Sequence, residues 1–222
     1  MKLAITGMPL NRSVWFLFAC LTIIFLGSVL ISPRIGYGQL NLNFDDIEID
    51  ILHVQGNVYM LVGAGGNITL QVGREGVLIV DSMYPELADK VLGVIRELSD
   101  QPIRYLINTH VHPDHTGGNA ILAQAGTNFA AGNVAGLIGD ASDTAAIIAH
   151  ENVLLRMSSQ EAPPPFEAWP TDTFFNSSKE VYFNGEAVRV LHQPAAHTDG
   201  DSIIFFRRSD VISTGDLFVT TV

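Results

Sequence analysis

Four side chains able to ligate a metal fall within six residues of this chain, in the string His110-x-His112-x-Asp114-His115. In a chain of this composition the pattern arises by chance roughly 4 × 10⁻⁴ times. That frequency favours a metal-binding loop over a polar loop with stray histidines. A loop carrying His, His, Asp and His in this order aims its first two ligands at one ion and its next two at a neighbour. Zinc takes His nitrogen at about 2.0–2.1 Å in a tetrahedral site and keeps one position for water when the site is catalytic. Two such ions about 3.5–4 Å apart share a hydroxide and polarise a carbonyl or phosphoryl oxygen. Pro113 stiffens the loop and so lowers the entropy lost on binding. With a single Cys in the chain, no multi-Cys zinc site, CxxC centre or intrachain disulfide is available.

The elements that must hold these ligands are legible in the hydrophobic pattern. An apolar run at 103–107 predicts a buried strand ending just before the cluster, and Gly117-Gly118 follows it. That is the strand-to-loop position where α/β folds usually bind ligands. Upstream, Ile47, Ile49 and Ile51 alternate with Glu48 and Asp50, and residues 57–62 read as a second strand. Residues 68–72 and 77–80 read as a hairpin, with Asp81 closing the second run. Leu87, Val91, Ile95 and Leu98 recur at helical spacing from Pro85 onward. Downstream, a short strand is expected at 129–131. A helix is expected over 141–159, with Ala145, Ile148, Val153 and Leu154 as its apolar side. Residues 162–170 form a Pro-rich loop with Phe166 and Trp169. Asn184-Gly185 between apolar runs predicts a type I′ hairpin, and runs at 203–206 and 211–213 complete a meander. Strands alternating with helices predict a mixed α/β domain with helices covering sheets.

Composition narrows the function. Hydrophobic residues make up 47% of the 222, which argues against disorder. Twelve basic side chains against 23 acidic ones give a net charge of −11. No nucleic-acid partner is expected, because phosphate contacts need clustered Lys and Arg. Lys2 and Arg12 precede an uncharged stretch over 13–33, and the small residues Gly36 and Gly38 follow. This reads as a signal peptide over 1–38 and a domain over 39–222, exported to the periplasm or secreted. The alternative is an uncleaved leader that anchors the chain to a membrane through residues 13–33. An exported, acidic domain whose lone Cys20 lies in the leader must hold zinc by His and carboxylate.

From residue 57 to 218 the chain resembles the metallo-β-lactamase-fold hydrolases. The carrying motifs are THVHPDHTGG at 109–118, PAAHTDGD at 194–201 and STGD at 213–216, with Asp81 at a further position that is usually structural. The resemblance implies an α/β fold, a metallo-β-lactamase-like αβ/βα sandwich with metals at its edge. By position it implies a first zinc on His110, His112 and His197. A second zinc would take Asp114 and His115, with Asp216 bridging the two and Asp114 also orienting the nucleophilic hydroxide. Without a Cys ligand the thiolate-containing lactamase subclasses are excluded. The nearer analogues are the all-His/Asp lactamase subclass, glyoxalase-II-like thioesterases and lactonases. Diiron oxidoreductases of this fold usually carry an acid where this chain has His112. The family's last ligand is a His on a later strand, and this sequence ends at Val222. A domain incomplete at its C-terminus, lacking the last strand and helices, is therefore expected.

Two functions follow as expectations. The first is a hydrolase with one or two zinc ions that uses a metal-bound hydroxide to cleave an amide (β-lactam), ester or thioester bond in a small-molecule substrate. The second is a non-catalytic or weakly active zinc-binding remnant of such an enzyme. His53, His150 and His192 lack ligand spacing and read as packed or surface residues. Asp199 and Asp201 read as turn and strand-cap residues. Phe166 and Trp169 either line a substrate groove or clamp their loop onto the core.

Overall fold

A computed structural model describes residues 42–128 and 144–219. The expected leader and the expected strand at 129–131 lie outside the described residues, as do positions 141–143 of the expected helix. Eleven strands form two sheets among the described residues. The larger sheet runs in chain order: β1 (Asp50–Gln55), β2 (Val58–Val62), β3 (Ile68–Gly73), β4 (Gly76–Val80), β5 (Ile103–Ile107), β6 (Ala146–His150) and β7 (Asp172–Phe174). Strands β1 to β4 pair antiparallel and β4 to β7 parallel. The smaller sheet is an antiparallel meander of β8 (Ser178–Phe183), β9 (Glu186–His192), β10 (Ser202–Phe206) and β11 (Val211–Ser213).

Two apolar layers hold this sandwich. Strand β4 is buried at every position, as expected of a central strand covered on both faces. Leu78 and Val80 point toward the smaller sheet and meet Val188, Val190, Ile204 and Phe206. Val77 and Ile79 point the other way, onto α1 (Ala88–Leu98) and α3 (Asn119–Gln124). From α1, Val91 and Ile95 enter that layer, and burying each contributes about 1.5–3 kcal/mol. The one-turn helix α2 (Pro113–Thr116) lies between β5 and α3, and α4 (Glu151–Ser158) follows β6 directly. Asn184 and Gly185 both have positive φ, 51° and 79°, as a type I′ turn requires. Asn184 also ties the two sheets at their tips, donating to Gly76 O and accepting from the Glu75 N–H.

Two expectations are corrected. Residues 146–150 form strand β6, not the first half of a helix. Ile147 faces the helix-side core and Ile148 the inter-sheet core, and β6 pairs with both β5 and β7. Burial on both faces decides the conformation there, and the helix begins only at Glu151. Strand β7 has no counterpart among the expected elements. Residues 47–49 are also not strand, and β1 starts at Asp50 as an exposed edge. The Lys90 ammonium donates to the carbonyls of Phe44, Asp45 and Ile47, while Ile47 and Ile49 pack on the core.

Candidate metal centre

The parallel arrangement of β4, β5 and β6 delivers three carboxyl ends to one edge of the sandwich. Asp81 follows β4, Thr109 and His110 follow β5, and His150 ends β6. Pro113 starts α2 and places Asp114 and His115 in the same turn. Across from them the smaller sheet contributes His197, in the loop between β9 and β10, and Asp216, in the turn after β11.

These side chains converge. The His110, His112 and His197 rings sit at the corners of a triangle with centroid separations of 4.7–5.0 Å. His112 Nδ1 lies 3.1 Å from His110 Nε2 and 2.9 Å from His197 Nε2. Asp216 Oδ2 lies 3.9 Å from His110 Nε2 and 3.6 Å from His197 Nε2. Among the described residues, this is the group that brings three or more ligand atoms within 4.8 Å of one another. Asp216 turns its other oxygen, Oδ1, to His115 Nε2 at 3.1 Å, and Asp114 Oδ2 is 3.6 Å from the same nitrogen.

Hydrogen bonds behind the ligands decide which nitrogens face inward. The buried Asp81 carboxylate accepts from the Thr109 N–H, the Thr109 hydroxyl and His115 Nδ1, all at 2.7–2.8 Å. A carboxylate only accepts, so His115 carries a proton on Nδ1 and turns Nε2 toward Asp216. The Thr109 hydroxyl gives its hydrogen to Asp81 and so accepts from His110 Nδ1 at 3.0 Å. That leaves the His110 Nε2 lone pair facing the cluster. Such outer partners fix ring tautomer and orientation in metal sites. Burial and the neighbouring His115 push the His110 pKa down to about 4. Burial also disfavours a charged His115, but the carboxylates of Asp81, Asp114 and Asp216 outweigh it and push that pKa up to about 9.

Two close approaches need glycine. A Cβ on Gly66 would fall 2.3 Å from the His115 ring, so the 63–66 loop packs flat on that imidazole. Gly215 has φ +51°, and a Cβ there would meet the Thr109 hydroxyl at 2.5 Å. A cavity of about 510 Å³ opens beside the group, with His115 and Asp216 in its wall along with Met60, Ile212 and Phe218. This volume falls in the range of small-molecule pockets.

The donors fit a tetrahedral cation. With nitrogen at about 2.0–2.1 Å from zinc, neighbouring ligand atoms stand about 3.3 Å apart. Four of the separations, 2.9–3.9 Å, straddle that value, and all lie within 4.8 Å. The buried His115 Nε2 makes no hydrogen bond, although Asp216 Oδ1 is 3.1 Å away. A cation that displaced a proton from this nitrogen would find Nε2 and the Asp216 oxygen side by side as ligand atoms.

All six ligands expected from the sequence therefore lie at one edge: four in the closed group, with Asp114 and His115 beside it. His53, His150 and His192 lie outside the group. Asp201 is a turn residue that accepts from the Thr198 N–H and hydroxyl. Asp199 pairs with Arg156. Trp169 clamps its own loop by donating to Pro164 O, and Phe166 is 77% exposed in a separate cavity. Thr109 was not singled out in the sequence, although its place directly before a ligand His is the signal that marks it. Asn152 and Arg156 gave no such signal.

A family model, the metallo-beta-lactamase superfamily, matches residues 61–221. Among curated proteins, a linear primary-alkylsulfatase from a Pseudomonas strain is 44% identical over 45 residues, 20% of this chain and 8% of that protein. Among solved structures, a double mutant of the sec-alkyl sulfatase PisA1 superposes with a TM-score of 0.58 at 15% identity, covering 76% of this chain and 31% of that one. The class B3 di-zinc metallo-beta-lactamase LRA-12 from an Alaskan soil metagenome superposes with a TM-score of 0.56 at 17% identity. The match covers 75% of this chain and 60% of the lactamase, so the sequence spans 31% and 60% of these two structures. The family match, the sandwich and the His/Asp group at its edge agree: the chain belongs to the metallo-beta-lactamase superfamily and carries a His/Asp group able to hold a metal ion.

Proposed function

We propose that this chain is a zinc-dependent hydrolase that cleaves an amide (β-lactam), ester or thioester bond in a small molecule. The carrying observation is the closure of His110, His112, His197 and Asp216 to within 4.8 Å, with His115 Nε2 turned toward the same carboxylate. Three neutral nitrogens and a carboxylate suit zinc better than magnesium or calcium, which prefer oxygen. The likeness to a di-zinc lactamase points the same way. In this reading His110, His112 and His197 would hold a first ion, Asp114 and His115 would hold a second, and Asp216 would be available to either. When bound, zinc supplies Lewis acidity and a water of lowered pKa. The Asp114 side chain is 25% exposed, so its carboxylate meets both solvent and the site. Its carboxylate would orient the attacking water and take up its proton through the oxygen not engaged with the ion, then return that proton to the leaving group as the carbon–heteroatom bond breaks. Met60, Ile212 and Phe218 in the cavity wall give the substrate an apolar contact.

A panel tests this: a chromogenic β-lactam, a thioester, an aryl ester and an alkyl sulfate, each with metal-stripped and zinc-restored protein. Zinc-dependent turnover of one of the first three is the expected result. Turnover of the alkyl sulfate alone would move the chain to the reaction its alkylsulfatase relatives are named for. Turnover without zinc would refute the metal-based reading. A second reading, a zinc-binding protein of little activity, is favoured by one observation. Among the described residues, Asp114, His115 and Asp216 do not close into a group as tight as the first. No turnover on any substrate, with zinc bound, would select it. The leader supports an exported protein whose N-terminus in cells begins near Gln39. Intact Met1 in the membrane fraction would instead support the anchored alternative.

A further inference from the structure

His150 and His192 belong to neither the ligand set nor the core clusters, yet they meet. His150 ends β6 in the larger sheet and His192 ends β9 in the smaller one. Their rings stack face to face, with centroids 3.5 Å apart and an interplanar angle of 9°. The pair thus joins the two sheets at the edge that carries the metal group. Each ring also makes a directed hydrogen bond. His150 Nδ1 accepts from the Asn152 N–H and caps α4. His192 Nε2 lies 2.9 Å from Asp199 O, and since a carbonyl only accepts, the ring donates. Burial first, and the stacked His192 second, push the His150 pKa down, which suits a ring that must accept at Nδ1.

The bond to Asp199 O bears on the metal group because Asp199 lies two residues after His197, in the same turn. Asn152 Nδ2 donates to that same carbonyl at 2.8 Å. The Asp199 carboxylate takes two hydrogen bonds from Arg156 of α4. Gly200 lies flat on the first turn of α4, where an added Cβ would come within 2.9 Å of Val153. His197 is itself exposed and is carried by this turn, whose far end the Ser202 N–H anchors to Thr109 O at 2.9 Å. Its position relative to His110 and His112, which the larger sheet carries, is set by whatever ties the turn to that sheet.

We propose that His192 is a positioning residue for His197: stacked on His150, it holds the Asp199 carbonyl and so fixes the third imidazole of the metal group. The inference rests on the metal-centre reading above, and its test separates the two. His192→Phe keeps a ring over His150 and removes the donor. His192→Gln removes the ring and keeps an N–H within reach of the carbonyl. Asn152→Ala removes the carbonyl's other donor. Zinc affinity is read by competition with a fluorescent chelator, and stability by the melting of each metal-free protein.

Outer partners of metal ligands typically account for about 10–100-fold in affinity. His192→Phe should therefore bind zinc at least about 10-fold more weakly, with a metal-free melting temperature close to the parent. His192→Gln should recover most of the affinity, and Asn152→Ala should lose affinity in the same direction. Parent-like affinity in His192→Phe would overturn the proposal, as would equal losses in His192→Phe and His192→Gln. Should His192→Phe fail to fold, Asn152→Ala decides, and unchanged affinity there would count against the proposal. A parent that takes up no zinc would refute the metal centre itself, a distinguishable result.

Discussion

Replacing Asp81 by Asn tests whether the tautomers of the ligand histidines are set from behind. The substitution preserves shape in a position that is 1% exposed. It replaces one of two acceptor oxygens with an NH₂ donor. In the parent, those oxygens receive the Thr109 N–H, the Thr109 hydroxyl and His115 Nδ1–H. If the amide nitrogen faces His115, the ring must accept at Nδ1 and carry its proton on Nε2, where the lone pair is needed. If the amide turns over, its NH₂ opposes the Thr109 N–H. Either way one buried donor loses its acceptor, at a cost of about 1–3 kcal/mol, and the remaining bonds lose their charge assistance. A total near 2–4 kcal/mol lowers the metal-free melting temperature by about 5–15 °C for a domain of this size. Zinc affinity should fall by about 10–100-fold, because the amide favours the wrong tautomer of His115. Differential scanning calorimetry in chelator and a zinc competition titration give the two numbers. If Asp81→Asn melts lower yet binds zinc as the parent does, Asp81 is a packing residue and the tautomer argument is wrong.

Other outcomes follow from the same geometry. Glu186 is 3% exposed; its burial raises the carboxyl pKa, but hydrogen bonds from the Ser209 hydroxyl, the Ser209 and Arg208 N–H groups and Gln71 outweigh this, and the net direction is down. Its contribution is therefore present above the ordinary value of 4.5 and lost as pH falls through the lower folded value. Urea midpoints should show Glu186→Gln less stable by about 2–4 kcal/mol at neutral pH, with the gap closing under acid; a gap constant with pH would contradict this. Gly66→Ala drives a methyl into the His115 ring and should weaken zinc binding more than it lowers the metal-free melting temperature; parent-like affinity would show that the loop simply moves away. Thr109→Val keeps volume, removes the hydroxyl between Asp81 and His110, and should cost about 1–2 kcal/mol in a thermal melt; no loss would mean that His110 finds another acceptor.

How much of this was legible in the sequence depends on whether local pattern or distant packing decides each feature. The His110–His115 string is local: one strand end and one Pro-started turn carry His110, His112, Asp114 and His115, so its spacing is visible in the sequence. The Asn184-Gly185 hairpin and the strand at Ile103–Ile107 are local in the same sense. Residues 146–150 carry a helix-like pattern yet fold as strand because Ile147 and Ile148 serve two cores on opposite faces, a fact that only pairing with β5 and β7 creates. Strand β7 is three residues long and exists through its neighbour β6, so no periodicity announces it. The stacked His150 and His192 rings lie on different sheets, 42 positions apart in the chain, and no spacing rule connects them.

Three imidazoles and Asp216 stand together as one candidate metal site. Metal content per chain, measured by mass spectrometry after mild dialysis, tests it most directly when the parent is set beside His112→Ala. His112 Nδ1 lies within 3.1 Å of both other ring nitrogens, so its removal opens the group at its centre. At least one zinc per parent chain and near-complete loss in His112→Ala is the predicted result. Equal zinc in both proteins, or none in the parent, would contradict the account.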